Sequence, residues 1–165
     1  MNKSGIIRKI DELGRIVLPK ELRKTLNIHA GDDFQITIDN EKIILEKYSI
    51  LDSYENILIS IINCFLSVKK YNIYLVIKNR IINFNNEIIT NIILNIILER
   101  KIYINDKVEK NIIGNNLCDI GKMVIYPIVI NSDLLGSLII IGKDDINELI
   151  DDCKLIYNII KKVIL

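Results

Sequence analysis

The chain has 165 residues, half of them apolar and 26% charged, with a formal net charge of +1 at pH 7. That apolar fraction is enough to build a buried core, which excludes a chain disordered throughout. The longest uncharged stretch, 56–68, is well short of the roughly 20 residues that a membrane-spanning helix needs. The N-terminus lacks the apolar run of a secretory signal, so we expect neither export nor a membrane span.

Positive charge is concentrated at the front of the chain. Residues 1–30 contain seven Lys and Arg against three Asp and Glu, a local net charge of +4. A near-neutral chain can bind nucleic acid when its basic residues are gathered on one piece. The front segment is therefore the first candidate for a DNA-binding surface.

The first 48 residues are predicted to hold four short strands and one helix. The strands are expected over 5–11, 15–18, 34–38 and 42–47, and the helix over 20–27, with Pro19 at its first position. Leu22 and Leu26 lie one turn apart and predict an apolar helix face. Because so small a unit has a thin core, we expect two copies to share one core as an obligate dimer.

The second half predicts an α/β pattern after a boundary near 49–53, giving domains at 1–50 and 51–165. Helices are expected over 51–69, over 87–101 and from a cap at Asp144 or Asp145 to the C-terminus. Strands are expected over 71–78, 81–84, 122–130 and 134–142. The region 102–121 is mixed, with a loop marked by Gly114, Asn115, Asn116 and Gly121. The first and last helices should share one face of an antiparallel sheet, and the 87–101 helix should cover the other.

The first of these helices carries an apolar stripe with alternating steps of three and four residues. It consists of Leu51, Tyr54, Leu58, Ile61, Phe65 and Val68. Such spacing is typical of a seam between two helices, within one domain or between two chains. The sequence leaves both readings open.

Residues with reactive side chains are sparse and scattered. The three cysteines lack ligand spacing, so we expect reduced thiols, with Cys64 and Cys153 in the core and Cys118 in a loop. His29 is the single histidine, and no nucleophile or acid can be grouped with it. We therefore expect no catalytic site, no metal and no cofactor.

The front of the chain contains the runs Ser4 to Pro19, SGIIRKIDELGRIVLP, and Glu21-Leu22-Arg23-Lys24. These residues resemble the N-terminal domain of the AbrB family of bacterial transition-state regulators. The match continues through 41–48. The resemblance implies an α+β fold whose front ends form a swapped-hairpin β-barrel dimer on double-stranded DNA. The residues expected to contact DNA are Arg8, Lys9, Arg15, Arg23 and Lys24. Lys24 replaces a family arginine, which keeps the charge but loses the fork that reads guanine.

The stretch 126–144 is similar to a hairpin of GAF-type sensor domains, in which a glycine follows the turn. This resemblance implies a GAF-like domain over 51–165 that senses a small-molecule effector or builds a homodimer or homotetramer. Residues 105–109 are only a faint echo of the cyclic-nucleotide motif, so the ligand is unknown. The length and second half match a sporulation regulator of the family, which implies control of sporulation genes by a cytoplasmic, nucleoid-associated protein.

Two other functions remain open. An antitoxin can share the swapped-hairpin DNA-binding domain, although its remaining chain would usually be a short, disordered toxin-binding tail. A third reading keeps the fold without DNA binding, as an oligomeric ligand sensor. Resistance of the C-terminal half to proteolysis and a DNA gel shift would separate the three.

Overall fold

The chain divides into two units, Met1–Tyr48 and Ser49–Leu165, in a computed structural model. The structure describes residues 5–26, 28, 30–108, 112–114, 117 and 119–165. Of the residues singled out above, Cys118 and His29 lie outside the described residues. No helix among the described residues is both long and apolar enough to cross a membrane.

The front unit contains one helix and one regular hairpin within its described residues. Helix α1 spans Lys20–Thr25, and strands β1 and β2 span Phe34–Asp39 and Lys42–Lys47. The strands pair antiparallel, with Phe34 opposite Lys47 and Asp39 opposite Lys42. Asn40 and Glu41 both have positive φ, 44° and 65°, as a two-residue hairpin turn requires. The predicted hairpin is confirmed.

The predicted strands over 5–11 and 15–18 are wrong for the single chain, because neither segment joins a sheet. A turn connects them, and in it the Gly14 N–H donates to the Asp11 carbonyl at 2.9 Å. The apolar side chains of these segments have no cover: Ile7 is 91% exposed and Val17 is 75% exposed. These apolar side chains therefore lie at the surface of the single chain, as do those of the β1–β2 hairpin.

The front helix also differs from its prediction. Pro19 precedes the helix as its cap, with φ −57° and ψ 147°, and does not occupy its first position. The helix ends at Thr25 instead of continuing to residue 27. Leu22 and Leu26, predicted to form a core face, are exposed. Pro19 alone is buried among the described residues of the front unit, so this unit has no apolar core of its own.

The second unit is an antiparallel sheet covered by helices. Its elements are α2 Ile50–Ser53, α3 Glu55–Val68, β3 Asn72–Ile77, β4 Arg80–Ile81, β5 Glu87–Ile88, α4 Asn91–Leu98, β6 Tyr103–Val108, β7 Gly121–Ile130, β8 Asp133–Gly142 and α5 Ile146–Ile164. The six strands lie in the order β5-β4-β3-β8-β7-β6, and every neighbouring pair is antiparallel.

Alternate side chains of the central strands point to two separate cores. Leu75 and Ile140 pack with residues of α3 and α5, including Leu58 and Ile156. The neighbouring residues of the same strands turn to the opposite face, where α4 packs through Ile93. This alternation is what period-two strands dictate. The predicted placement of helices on both faces is confirmed.

Three helix predictions need correction. The helix expected over 51–69 breaks at Tyr54, whose φ and ψ of −108° and 8° are not helical. Val68, assigned to its apolar stripe, is 77% exposed, and Ile62 is buried instead of Ile61. The helix expected over 87–101 starts only at Asn91, because Thr90 caps it by accepting a hydrogen bond from Ile93 N–H at 3.4 Å.

One predicted strand, one mixed region and one cysteine also differ from what the sequence predicts. The strand expected over 81–84 ends at Ile81, because the Asn83 carboxamide bonds the backbone of β3 in place of a ladder. The mixed region 102–121, in which the sequence predicts no particular strand, contains β6. Cys153 is buried as expected, but Cys64 is exposed because it lies on the solvent side of α3.

Candidate nucleic-acid interface

All five predicted DNA-contacting residues lie at the surface of the front unit. Arg8 and Lys9 precede the turn at Gly14, Arg15 follows it, and Arg23 and Lys24 occupy the last turn of α1. The structure joins one of them to another side chain: Arg15 contacts Asp11. The described residues show no hydrogen bond or ion pair linking Arg8, Lys9, Arg23 or Lys24 to one another.

Asp11 organises the turn that carries Arg15. One of its carboxylate oxygens accepts from the backbone N–H groups of Leu13 and Arg15, at 3.0 and 2.8 Å. The other accepts from Arg15 Nε at 2.8 Å. The hydrogen bonds from the backbone and then the side chain of Arg15 hold the pKa of Asp11 below its usual value. Gly14 completes the turn with φ 75°, a left-handed conformation that favours glycine.

Helix α1 presents its basic residues on one side. Lys20, Arg23 and Lys24 are spaced i, i+3 and i+4, which places them on one face of the helix. Arg23 and Lys24 in the last turn and Glu21 in the first turn interact favourably with the helix dipole and stabilise the helix. Lys20 belongs to this basic face, but the sequence prediction did not include it. Its spacing of three and four residues from Arg23 and Lys24 could have identified it.

Some basic residues of the chain are held in ion pairs, and others have no such partner in the part that the structure describes. In the second unit Lys78 pairs with Asp52 at 2.7 Å and Arg80 pairs with Glu55 at 2.9 Å. Lys47 of the front unit pairs with Asp32 at 3.0 Å. By contrast, Arg8, Lys9, Lys20, Arg23 and Lys24 form no ion pair with any described residue. Their charge is therefore available to an anionic partner.

In the part of the chain that the structure describes, no three His, Cys, Asp or Glu side chains gather around a metal-sized site. The second unit has an open groove of about 370 Å³ where β3 begins and β8 ends. Lysines and carboxylates share its lining, among them Lys70, Lys143 and Asp119. The groove carries no residue set that selects a particular cofactor.

Comparison with known proteins relates the front of the chain to transition state regulators and most of its length to a sporulation protein. Residues 7–50 match the family described as antidote-toxin recognition MazE, bacterial antitoxin. Stage V sporulation protein T of Bacillus subtilis (strain 168) is 28% identical over 154 residues, covering 87% of this chain and 86% of that protein. The transition state regulatory protein AbrB of the same organism is 58% identical over 48 residues, 29% of this chain and 50% of that protein.

The putative transition state regulator Abh of Bacillus subtilis (strain 168) is 52% identical over 48 residues, 29% of this chain and 52% of that protein. The match thus spans about half the length of AbrB and of Abh. A solution structure of the N-domain of the transcription factor abrB is 58% identical over 29% of this chain and 92% of that chain, with a TM-score of 0.27. The resemblance read from the sequence is confirmed: residues 7–50 form a MazE/AbrB-type domain, in a chain similar over most of its length to stage V sporulation protein T.

Proposed function

We propose that this protein is a DNA-binding transcriptional regulator. The observation that carries the proposal is the set of exposed basic side chains of the front unit, Arg8, Lys9, Arg15, Arg23 and Lys24. Four of the five have no acidic partner among the described residues. The AbrB relative adds support, since its N-terminal segment, which is 58% identical to the front of this chain, is a DNA recognition domain. We propose the boundaries 1–50 for this domain and 51–165 for the second.

A second copy of the chain would supply the missing core of the front unit. Ile36 and Ile38 of β1 lie opposite Leu45 and Ile43 of β2 on one hairpin face, and all four apolar side chains are exposed. The uncovered segments before α1 add Ile7 and further apolar groups. A swapped-hairpin dimer, in which each chain covers the other, would bury both surfaces.

Dimerisation would also double the basic surface. The five proposed contact residues become ten on one assembly, and each phosphate contact releases counterions. If half of them touch phosphate, log K should fall with log salt at a slope of about −4 to −5. Phosphate contacts position a protein on DNA, whereas groove shape and base edges select the sequence. We expect binding that tolerates A/T-rich sequence and depends on DNA shape.

Single substitutions test the proposal. Arg8→Ala and Arg15→Ala should each abolish a gel shift while leaving the circular-dichroism melt of the full chain unchanged. Lys101→Ala, an exposed basic residue of the second unit, is the control for loss of one charge and should still shift DNA. Retained binding in both arginine variants would contradict the assignment of these residues. Failure of the unmodified chain to shift DNA would favour the ligand-sensor reading.

The matched family description keeps an antitoxin role in view, but the second unit argues against it. An antitoxin usually ends in a disordered tail, whereas Ser49–Leu165 contains a six-stranded sheet with a core on each face. Limited proteolysis of the full chain should therefore leave a resistant C-terminal fragment. Rapid loss of all C-terminal fragments would favour the antitoxin.

For the second unit we propose a GAF-like effector or oligomerisation role, and the exposed side of α3 favours assembly. Ile57, Cys64 and Val68 are exposed and Ile61 is half-buried, at steps of four, three and four residues. In native mass spectrometry, Ile57→Lys should lower the mass of the assembly. Ile88→Lys is the control, at an isoleucine on β5 that is 65% exposed against 50% for Ile57, and should leave the mass unchanged.

The similarity to stage V sporulation protein T leads us to propose sporulation genes as the targets and the nucleoid of the cytoplasm as the place of action. Genome-wide chromatin occupancy during sporulation tests this. Occupancy at promoters of sporulation genes is expected. Occupancy confined to a toxin–antitoxin operon would redirect the assignment.

A further inference from the structure

The guanidinium of Arg15 is held at one atom and free at the other two. Its Nε donates to Asp11 at 2.8 Å, and its terminal nitrogens contact no hydrogen-bonding group of the described residues. The side chain is nevertheless 70% exposed. The two terminal amino groups are the pair that binds a phosphate or the edge of guanine bidentately.

We propose that Asp11 is a positioning residue for DNA recognition, which fixes the Arg15 guanidinium through Nε and leaves its terminal amino groups for DNA. This inference rests on the proposed function. Asp11 itself would touch no DNA. Its effect would pass entirely through Arg15.

The carboxylate is well suited to this task because its own position is fixed. Its other oxygen accepts from the backbone N–H groups of Leu13 and Arg15, so the carboxylate cannot swing away with the guanidinium. The same hydrogen bonds lower the pKa of Asp11, which keeps it ionised at any pH near neutrality. A free arginine side chain must be ordered when it binds, and a side chain ordered in advance avoids most of that cost.

Simple electrostatics predicts that loss of the Asp11 charge strengthens DNA binding, which is opposite to the effect of a positioning role. A carboxylate near a polyphosphate repels it, so removing that charge should tighten binding if Asp11 is only a surface acid. The neighbouring Glu12 gives the matched control. It is exposed, lies on the same turn and forms no ion pair with a described residue. Glu12→Gln therefore removes one negative charge without disturbing Arg15.

The test is a double-mutant cycle on the full chain, measured by fluorescence anisotropy with one duplex that the unmodified chain binds. We expect Asp11→Asn to weaken binding about two- to tenfold, the cost of ordering one long side chain. Glu12→Gln should leave binding unchanged or slightly tighter. At low salt, where the remaining basic residues keep binding by Arg15→Ala measurable, Asp11→Asn should cause no further loss in that background.

Two further measurements guard against a variant that simply misfolds. Arg15→Lys keeps the charge and the backbone bonds of the turn but has no Nε donor, and it should weaken binding about two- to tenfold. The Nε–H signal of Arg15 in nitrogen-edited NMR should be protected from exchange in the unmodified chain, without DNA, and lose that protection in Asp11→Asn.

The failures are distinguishable. If the unmodified chain binds and Arg15→Ala weakens binding, but Asp11→Asn binds as well as Glu12→Gln, the positioning role is wrong and the proposed function stands. Equal losses from Asp11→Asn in both backgrounds, or full binding by Arg15→Lys, overturn it too. If the unmodified chain fails to bind DNA, or Arg15→Ala has no effect, the proposed function falls and this inference falls with it.

Discussion

Gly136 of β8 lies directly against the backbone carbonyl of Val76 in the neighbouring strand β3. A Cβ at position 136 would lie 2.4 Å from that oxygen and 3.2 Å from a methyl group of Leu51. Strand β3 and helix α2 therefore both depend on the absence of a side chain here. Gly136 is the glycine that follows the turn in the GAF-like hairpin pattern, and close packing explains why a glycine is needed there.

Gly136→Ala should destabilise the second unit by about 1–3 kcal/mol, because the added methyl group forces the central strands apart. Chemical unfolding in urea, followed by circular dichroism, measures the loss. Gly5→Ala is the control, since a Cβ there would meet no atom within 4 Å. Equal unfolding midpoints for the two variants would contradict the packing argument.

Alkaline pH should weaken the second unit. Burial raises the pKa of the Tyr71 and Tyr74 hydroxyls, and their hydrogen bonds to the carboxylates of Asp152 and Asp119 raise it further. Burial also raises the pKa of the Cys153 thiol to about 12. Because these groups lose their protons more readily when unfolded, their stabilising contribution is complete below the ordinary pKa values of 9.0 and 10.0 and is lost as pH rises above them.

The thermal midpoint of the second unit should accordingly fall between pH 8 and pH 11, as differential scanning calorimetry can record. Tyr71→Phe removes one of the titrating groups and should reduce the slope of this fall, although it also costs the hydrogen bond to Asp152. A midpoint that stays constant up to pH 11 would show that these side chains titrate alike in the folded and unfolded chain.

The two described cysteines should differ sharply in reactivity. Cys64 is exposed on α3, whereas Cys153 is buried in α5 and its raised pKa suppresses the reactive thiolate. Peptide mapping after brief maleimide treatment at pH 7.5, with the Ile57→Lys chain so that the α3 face is uncovered, should show Cys64 modified and Cys153 intact. Denaturant should make Cys153 react as well. Early modification of Cys153 in the folded chain would mean that α5 opens locally.

Local patterns predicted the second unit better than the front one. The β7–β8 hairpin follows from alternating apolar residues around a short turn, where Asn131 and Ser132 adopt positive φ. Strand β6 was missed because Asn105, Asp106 and Lys107 make it look like a loop, and its partner β7 lies beyond the poorly patterned segment between them. The helix break at Tyr54 has no glycine or proline to signal it.

The front unit shows the limit of reasoning from one chain. Its apolar residues are patterned for strands, yet Ile7 and Val17 have nothing in the same chain to cover them. The basic residues of the candidate site could be located from charge alone. The contacts around them could not be predicted. The sequence shows that Asp11 and Arg15 are four residues apart, but which nitrogen of Arg15 bonds to Asp11 depends on the geometry of the turn.

Substitutions of Lys24 can test the effect of charge and the effect of side-chain geometry separately at one position. Lysine and arginine carry the same charge, but only arginine presents a planar fork to guanine or phosphate. Lys24→Arg should therefore leave the salt dependence of DNA binding unchanged while sharpening discrimination between duplexes, by up to about 1–3 kcal/mol for each correct base contact. Lys24→Ala should instead weaken binding to all duplexes.

Anisotropy titrations with two duplexes of different sequence, each at several salt concentrations, measure both effects at once. In a dimer, Lys24→Ala removes two phosphate contacts and should reduce the slope of log K against log salt by about 2. Lys162→Arg, at an exposed position near the end of α5, is the control and should change neither slope nor preference. If Lys24→Ala leaves the slope intact, Lys24 lies outside the contact surface and α1 meets DNA through Lys20 and Arg23 alone.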